Sequence, residues 1–352
     1  MSRRELVMLA QTYDPGKAAH KISDSYPWYA SEKMDGMRAF WDGGMTAGKW
    51  CKDVSWANTK KDRVPRRSTG LWSRQGKPIN APIWFLARLP AYPLDGELWA
   101  GRGRFQQTMS TCRKLVPVDA EWRKITYMVF DMPSLASFRS YSGTLPWGKA
   151  VNAKEQYYEC SSRQFKTIAR TFKDWEADKI LHPVQQTIIR STNGLEMFME
   201  HVLSLGGEGV ILRSPDSVWV PKRVPGMLKY KPFHDAEAVV TGYAWGRETD
   251  KGSKLLGKMG AMIVRWKDKE FELGTGFDDS ERILINRSDR VPDVACKTQG
   301  YRCEAVDFAG RKVGAVWSSR LFPRGSKVTF RYRELSDSGI PKDARFLRKY
   351  EV

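Results

Sequence analysis

The sequence predicts two domains, an α+β domain over residues 1–234 and an all-β barrel over residues 235–352. The chain has 352 residues, which is enough for two domains of ordinary size. Short apolar runs alternate with helical patterns up to about Lys231, whereas only strand patterns follow it. With 41% hydrophobic residues, the chain can bury a sizeable core, which excludes wholesale disorder.

Strands of the α+β domain are predicted where β-branched and aromatic residues cluster. They are expected at Met37–Trp41, Ile125–Phe130 and Gly209–Arg213. A helix is predicted to begin at a capping box, Asn193–Glu196, and to stop at Gly206. A weaker helical pattern covers Ala153–Phe172.

The barrel is predicted from strand patterns that follow Pro232. The expected strands are Glu237–Trp245, Ala261–Trp266, Phe271–Phe277 and Lys327–Arg333. Short strands separated by glycines within one compact stretch are typical of a small β-barrel.

Two segments are predicted to be insertions, at about residues 43–70 and 287–317. The first combines Trp50 and Trp56 with many cations, which are Lys49, Lys52, Lys60, Lys61, Arg63, Arg66 and Arg67. Cations bind phosphates and indoles pack on sugars or bases, so a clamp on nucleic acid is favoured over a plain solvated loop. For the second segment, which holds Cys296 and Cys303, a solvated loop is the favoured interpretation.

The net charge restricts the partners. Lys and Arg number 59 against 40 Asp and Glu, and the charge of +19 favours nucleic acid or an anionic membrane surface. No run approaches the ~20 apolar residues of a membrane span, so a membrane partner is not expected. Five cysteines without a Cys-x-x-Cys pair indicate a reducing compartment and no zinc site.

The segment Glu32–Arg38 holds the first candidate catalytic residue, Lys33. A lysine amine attacks a carbonyl or phosphorus centre only after losing its proton, which desolvation or a second cation promotes. Taken alone, a Lys-x-Asp-Gly pattern fits many surface turns. The motifs that follow along the chain decide between the two interpretations.

Five further motifs each have a use if Lys33 attacks a nucleotide: Ser73–Gly76, Leu94–Leu98, Tyr127–Asp131, Gly207–Ile211 and Leu228–Lys231. Glu97 can accept hydrogen bonds from ribose hydroxyls, and Phe130 offers an aromatic face to a base. Glu208 can hold Mg²⁺ through oxygen. Lys229 and Lys231 alternate on one strand, where they can neutralise a phosphate and promote loss of the Lys33 proton. Each motif alone also fits an ordinary structural role, and only their order and spacing are specific.

In this order the motifs resemble those of the covalent nucleotidyltransferases, which include ATP-dependent DNA ligases, RNA ligases and messenger-RNA capping enzymes. Ser31–Asp42 and Pro93–Phe105 are similar to the lysine and glutamate motifs of minimal bacterial and bacteriophage ATP-dependent DNA ligases. Leu256–Ala261, Gly274–Arg282 and Gly325–Leu335 resemble the OB-fold of these ligases. The resemblance implies an ATP-grasp-like nucleotidyltransferase domain of antiparallel sheets and helices, followed by an OB-fold.

The resemblance also implies an activity: a DNA ligase that uses ATP and Mg²⁺ to seal 5′-phosphate/3′-hydroxyl nicks in duplex DNA through lysyl-AMP and DNA-adenylate. Replication or repair in the cytoplasm, that of the host if the chain is phage-encoded, is the implied setting. Nothing in the sequence indicates an oligomer, so a monomer is expected. The alternatives are an RNA ligase or capping-type nucleotidyltransferase with the same lysine chemistry, and an inactive nucleic-acid-binding protein on the same scaffold.

Site residues are implied by the same resemblance. Lys33, Lys229 and Lys231 are catalytic, and the nucleotide is bound by Glu32, Lys33, Arg38, Glu97, Phe130, Lys229 and Lys231. Arg74 meets the 5′-phosphate of the nick or the nucleotide, and Glu208 with Glu97 holds the metal. The terminal basic motif that orients the ATP pyrophosphate departs from the family pattern, so Lys342, Arg345 and Arg348 are all candidates for that job.

Overall fold

The computed structural model describes residues 5–18, 21–60, 62, 64–134, 138, 161–172, 180–247, 254–286, 304–306, 312–314, 317–336 and 338–350. The chain divides into two compact units, Met1–Lys231 and Pro232–Val352. No helix in these ranges is long and apolar enough to cross a bilayer.

The first unit contains two sheets and several helices. Its strands are β1 Leu9–Thr12, β2 Trp28–Glu32, β3 Met37–Asp42, β4 Leu71–Ser73, β5 Pro93–Trp99, β6 Thr126–Asp131, β7 Leu181–Pro183, β8 Thr187–Ile189, β9 Val210–Arg213 and β10 Arg223–Tyr230. Its helices are α1 Pro15–Ala18, α2 Ile83–Leu86, α3 Phe105–Cys112, α4 Asp119–Trp122, α5 Ser161–Thr171 and α6 Thr192–Ser204, and a 3₁₀ turn spans Cys51–Asp53.

The two sheets are mainly antiparallel, each with five strands. One has the order β1-β10-β9-β2-β8 and the other β4-β3-β5-β6-β7. The pairs β1–β10 and β6–β7 are parallel. Apolar residues that alternate along β5 and β6, such as Leu98 and Tyr127, are buried against Phe85 and Trp122 of the short helices. The motif-bearing strands are therefore fixed by the core.

The strand predictions for this unit are confirmed, with small shifts in their ends. Met37–Trp41 lies in β3, and the second run forms β6 one residue later than predicted. Gly209 lies just outside β9, with φ 150°, and a Cβ there would lie 2.4 Å from the Tyr230 carbonyl oxygen. Only glycine suits this approach, so the strand begins at Val210.

The helix predicted near residue 193 is present, but its predicted capping box is wrong. The N-cap of α6 is Ser191, whose hydroxyl accepts a hydrogen bond from the Gly194 N–H at 3.1 Å. Glu196 instead accepts a hydrogen bond from the Tyr230 hydroxyl at 3.0 Å, so it is unavailable for capping. Of the weaker helical pattern, residues 161–171 form α5, and residues 153–160 lie outside the described residues.

The second unit consists of strands in the described residues. They are β11 His234–Trp245, β12 Met259–Trp266, β13 Lys269–Leu273, β14 Leu284–Asn286, β15 Glu304–Val306, β16 Lys312–Gly314, β17 Trp317–Ser319, β18 Lys327–Tyr332, β19 Glu334–Leu335, β20 Pro341–Lys342 and β21 Arg345–Lys349. The main sheet has the antiparallel order β13-β12-β11-β18-β21. One face buries Met262, Val264, Val328 and Phe330.

The sheet curls without full closure. Across the described part of this unit, β13 and β21 form no ladder, so the closed barrel expected from the sequence is not formed. The predicted strand Phe271–Phe277 ends early at Leu273 because the chain turns there. The Phe346 N–H, on β21, then donates to the Thr275 carbonyl at 2.9 Å, which brings the two edges together at one point.

The second predicted insertion is only partly described. β14 and β17 pair antiparallel at its two ends, and β15 pairs with β16 within it. The expectation of a plain loop is therefore wrong for these strand residues, and Cys296 and Cys303 lie outside the described residues.

Candidate active site

A cavity of about 350 Å³ in the first unit is lined by residues of both sheets. Eight residues predicted from the motifs line it: Glu32, Lys33, Arg38, Arg74, Glu97, Phe130, Lys229 and Lys231. A concave pocket with converging charged groups is the usual form of a small-molecule site. The structure thus brings together groups that are far apart in the sequence.

Lys33 is fixed by a turn between β2 and β3. Its backbone N–H donates to the Gly209 carbonyl at 2.8 Å, which ties the turn to the segment before β9. A Cβ at Gly36 would lie 2.3 Å from the Leu98 carbonyl oxygen of β5, so a larger residue would push the turn off that strand. The glycine of the lysine motif is required by this close approach.

The carboxylate of Glu208 binds two lysines. One oxygen accepts from the Lys33 ammonium and the other from the Lys231 ammonium. The side chain of Glu208 is only 10% exposed, so this ion pair is shielded from solvent. The sequence predicted cations around Lys33 and assigned Glu208 to a metal ion, whereas in the structure the Glu208 carboxylate pairs with two of these cations.

Glu97 faces the same region from β5, opposite Arg38 in the register of β3 and β5. Burial raises the pKa of Glu97 to about 7, although the charges of Arg38 and Lys33 oppose this rise. A carboxyl group with a pKa so far above its ordinary value is typical of functional sites.

Arg38 is held by a buried carboxylate beneath the cavity. Its Nε and Nη2 donate to the two oxygens of Asp95 at 2.7 and 2.9 Å. Asp95 is fully buried and also accepts from the Trp219 indole at 2.8 Å. The guanidinium lies 4.2 Å from the centre of the Phe130 ring. Arg38 and Phe130 are therefore fixed relative to each other.

A second buried pair joins the two sheets. Arg213 of β9 donates to both oxygens of Asp131 of β6 at 2.6 and 2.9 Å. Burial raises the pKa of Asp131, and the charge of Arg213 opposes the rise. Arg213 also lines the cavity, together with Phe165 of α5 and Gln186.

Two predicted residues lie at the cavity with their charges paired. Glu32 accepts a bidentate pair of hydrogen bonds from Arg102 at 2.8 and 2.7 Å. Arg74 lies 3.5 Å from the Glu5 carboxylate, and its side chain remains 47% exposed. Arg74 is thus accessible to an anionic ligand at the cavity mouth.

The first insertion packs on the rest of the first unit, and most of its described cations are exposed to solvent. Lys49, Lys52, Lys60 and Arg67 are exposed, Arg66 is half-buried, and Lys61 and Arg63 lie outside the described residues. Arg66 donates to the Asn80 side-chain oxygen at 3.2 Å. The expectation that the indoles face nucleic acid is wrong for Trp56, because its ring packs against Trp72 and Phe138. Trp50 is exposed, and the Arg67 guanidinium lies over one face of its ring, 4.1 Å from the ring centre.

The predicted metal ligands and terminal cations can be located. The described residues include no group of three or more His, Cys, Asp or Glu side chains arranged to hold a metal. Glu97 and Glu208 both lie close to Lys33. Arg345 and Arg348 are exposed on β21, and Lys342 on β20 lies 3.4 Å from Glu334.

Several site residues were not assigned from the sequence: Asp95, Phe165, Gln186, Ile211 and Arg213. A signal existed for Asp95, because residues 95 and 97 of one strand point to the same face. Phe165, in contrast, comes from a helix with weak sequence pattern, and Gln186 from a segment between short strands.

Comparison with known proteins shows the family of this chain. Residues 7–231 match the ATP dependent DNA ligase domain. The chain is similar to the DNA ligase of Haemophilus influenzae, with 24% identity over 328 residues that cover 92% of this chain and 86% of that protein. It is also similar to a probable DNA ligase of Streptomyces coelicolor, with 29% identity over 43% of this chain and 31% of that one.

Solved structures extend the likeness to both units. A Lig E DNA ligase, studied for DNA binding with a minimal scaffold, has a TM-score of 0.61 and 26% identity, and 98% of each chain is covered. Another, Pmar-Lig_PreS3, has a TM-score of 0.60 at 17% identity, covers 97% of this chain and 66% of that one, and supports the fold alone. The two units have the nucleotidyltransferase and OB-fold architecture of these ligases. Since the matched domain covers well over half of the chain, the protein belongs to the ATP-dependent DNA ligases, which use ATP and bind DNA.

Proposed function

We propose that Lys33 is the nucleophile of a nick-sealing reaction on duplex DNA. The observation that carries the proposal is the convergence of Lys33, Lys231 and Glu208 at a cavity that also holds Arg38, Glu97 and Phe130. Phosphoryl transfer needs little covalent chemistry from a protein beyond a nucleophile, since most of catalysis is positioning and charge neutralisation.

The reaction proceeds in three displacements. The nitrogen of Lys33, after losing its proton, attacks the α-phosphorus of ATP, and the bond to the β-phosphate oxygen breaks to release pyrophosphate. An oxygen of the 5′-phosphate then attacks the same phosphorus and releases the lysine, leaving DNA-adenylate. Finally the 3′-hydroxyl loses its proton, attacks the 5′-phosphorus and displaces AMP.

Nucleotide binding is assigned to residues that line the cavity. Phe130 and Phe165 offer aromatic faces to the base, and Glu97 accepts hydrogen bonds from the ribose hydroxyls. Lys229 and Lys231 neutralise the phosphates. Attack by Lys33 requires that its ion pair with Glu208 opens, and the incoming phosphates compete with Glu208 for both ammonium groups.

Mg²⁺ fits the donors near Lys33. Mg²⁺ is commonly bound by one or two carboxylates together with substrate phosphates and water. Glu208 and Glu97 provide two carboxyl groups, and the pKa of about 7 at Glu97 shows that the charges of Arg38 and Lys33 offset its burial only in part. When bound there, the ion would neutralise charge on the ATP phosphates.

DNA binding is assigned to Arg74 and to the exposed cations of the first insertion. Arg74 would contact the 5′-phosphate of the nick, while Lys49, Lys52, Lys60 and Arg67 would contact backbone phosphates of the duplex. These contacts are independent of base sequence, which suits an enzyme that must act at any nick. One chain would suffice, so the active form is proposed to be a monomer.

The test is a sealing assay on one nicked duplex, supplied with ATP or NAD, in parallel with nicks that contain RNA strands. The proposal predicts that the DNA nick is sealed when ATP is supplied and is not sealed when NAD is supplied instead. A reaction confined to RNA ends, or protein labelling by GTP but not ATP, would assign the lysine chemistry to another class of nucleotidyltransferase.

A further inference from the structure

The first insertion is anchored to the turn that carries Arg74. The Asn58 N–H donates to the Gly76 carbonyl at 2.8 Å, and Gly76 has φ 75°. A Cβ at Gly76 would lie 2.3 Å from the Trp56 carbonyl oxygen. Backbone therefore packs directly on backbone, with no side chain between the insertion and the turn.

Both partners in this contact are themselves fixed. The Trp56 ring lies 5.0 Å from that of Phe138 and 6.0 Å from that of Trp72, and Cys51 and Val54 of the insertion are buried in the same core. The Arg74 turn closes on itself, since the Gly76 N–H donates to the Ser73 carbonyl at 2.9 Å. The Leu6 N–H donates to the Arg74 carbonyl at 3.2 Å from the other side. The turn is held between the segment that leads into β1 and the insertion.

The outer face of the insertion carries exposed cations. Lys49 precedes the 3₁₀ turn and Lys52 lies within it. Arg67 lies over Trp50 and pairs with it in a β-bridge. A polyanion bound on this face would be connected to Arg74 through ordered backbone rather than through a loose loop. A small displacement of a group that binds a reacting phosphate lowers the reaction rate strongly. A rigid connection that prevents such a displacement therefore supports catalysis.

We propose that the insertion positions Arg74: the segment Trp56–Asn58 holds the Arg74 turn, so that duplex phosphates bound by the insertion and the 5′-phosphate bound by Arg74 lie on one rigid surface. This rests on the proposed role of Arg74 in nick sealing. Residues 56–58 and Gly76 act through Arg74 and do not touch the reacting atoms.

The test separates lysyl-AMP formation from the later steps. Gly76→Ala adds a Cβ against the Trp56 carbonyl, whereas a Cβ at Gly48, which lies in the insertion itself and has φ 78°, meets nothing within 4 Å in Gly48→Ala. The two variants carry the same left-handed strain and differ in the steric clash. Enzyme loaded with AMP in advance is mixed with nicked duplex, and formation of lysyl-AMP from ATP is measured separately.

We expect Gly76→Ala to slow sealing by the loaded enzyme about tenfold or more relative to Gly48→Ala, with lysyl-AMP formation within about twofold. In an Arg74→Ala background, Gly76→Ala should add less than about twofold, because its effect passes through Arg74. Equal sealing by the two glycine variants, or a full additional loss in the Arg74→Ala background, would overturn the inference.

A second pair of variants tests the same contact if Gly76→Ala does not fold. Asn58→Pro removes the N–H that bonds to Gly76, and Asn58→Ala keeps it. The same selective loss of sealing is expected for Asn58→Pro alone, and its absence would also overturn the inference. If wild-type enzyme forms no lysyl-AMP, or if Arg74→Ala seals like wild type, the proposed function or the role of Arg74 fails instead.

Discussion

Glu208 binds the ammonium group of Lys33, and its second oxygen binds that of Lys231, so one carboxylate pairs with two lysines that line the same cavity. This carboxylate occupies two ammonium groups that would otherwise bind ATP phosphates, and its own charge lowers their attraction for a phosphate unless a metal ion binds it. The same group is therefore expected to oppose ATP binding without metal and to support it with metal.

Glu208→Gln should accordingly strengthen ATP binding in EDTA, by about tenfold for a change near 1.4 kcal/mol, and should slow lysyl-AMP formation in Mg²⁺. Titration calorimetry and labelled ATP measure the two effects. Glu32→Gln is the matched control: its bidentate partner Arg102 is not among the residues that line the cavity, so its removal frees no cavity cation and a smaller change is expected. Unchanged ATP affinity for Glu208→Gln in EDTA would argue against this electrostatic role.

Glu97 gives a pH dependence of stability. Its pKa is raised from 4.5 to about 7 by burial, so the folded state holds a proton that the unfolded state releases in this interval. The stabilising contribution is fully present below pH 4.5 and is lost as the pH rises through about 7.

Glu97→Gln removes the titrating group while keeping the shape. The melting temperature of Glu97→Gln minus that of wild type should therefore be larger at pH 8 than at pH 5.5, as measured by calorimetry at both values. A difference that stays constant with pH, or falls, would contradict the raised pKa.

Asp95 is predicted to stabilise the first unit strongly through Arg38. The pair is buried, and Asp95→Asn would leave the Arg38 charge without its partner at a cost of about 3–5 kcal/mol in the free energy of unfolding. The matched control is Asp235→Asn in the second unit, where Arg331 donates with the same distances, 2.7 and 2.9 Å, on the exposed surface. That change should cost no more than about 1 kcal/mol. Denaturant unfolding of both variants tests the contrast, which equal losses would refute.

The exposed cations of the insertion should contribute to the salt dependence of DNA binding. Replacement of Lys49, Lys52 and Arg67 by Ala should lower the slope of log affinity against log salt by about 0.9 for each phosphate that is no longer neutralised. A control with the same change in charge replaces Arg88, Arg113 and Lys124, which are exposed elsewhere on the first unit. Equal slopes for the two triple variants would show that the insertion has no special part in binding the duplex.

Sequence reasoning located much of the site because its motifs correspond to local geometry. Lys33, Gly36 and Glu97 occur in short segments whose turns and strand alternation place their side chains, so spacing alone is informative. The order of the motifs then predicted the lysine chemistry.

The spacing of the motifs does not show which side chains from distant segments pair with one another. Nothing local indicates that Asp131 meets Arg213, or that one carboxylate would bind both Lys33 and Lys231. The helix cap was misplaced for a related reason, since Glu196 is engaged by Tyr230 from a distant strand. The role of Trp56 likewise depends on Phe138, which lies far along the chain.

Nick sealing as proposed depends on a covalent bond between Lys33 and AMP. The most direct measurement is incubation with α-labelled ATP and Mg²⁺, followed by peptide mapping of wild type and Lys33→Arg, which keeps the positive charge opposite Glu208. We expect AMP on the peptide containing Lys33 in wild type and no labelled protein for Lys33→Arg, whose melting temperature should equal that of wild type. Label on another residue, or labelling and nick sealing by Lys33→Arg, would contradict it.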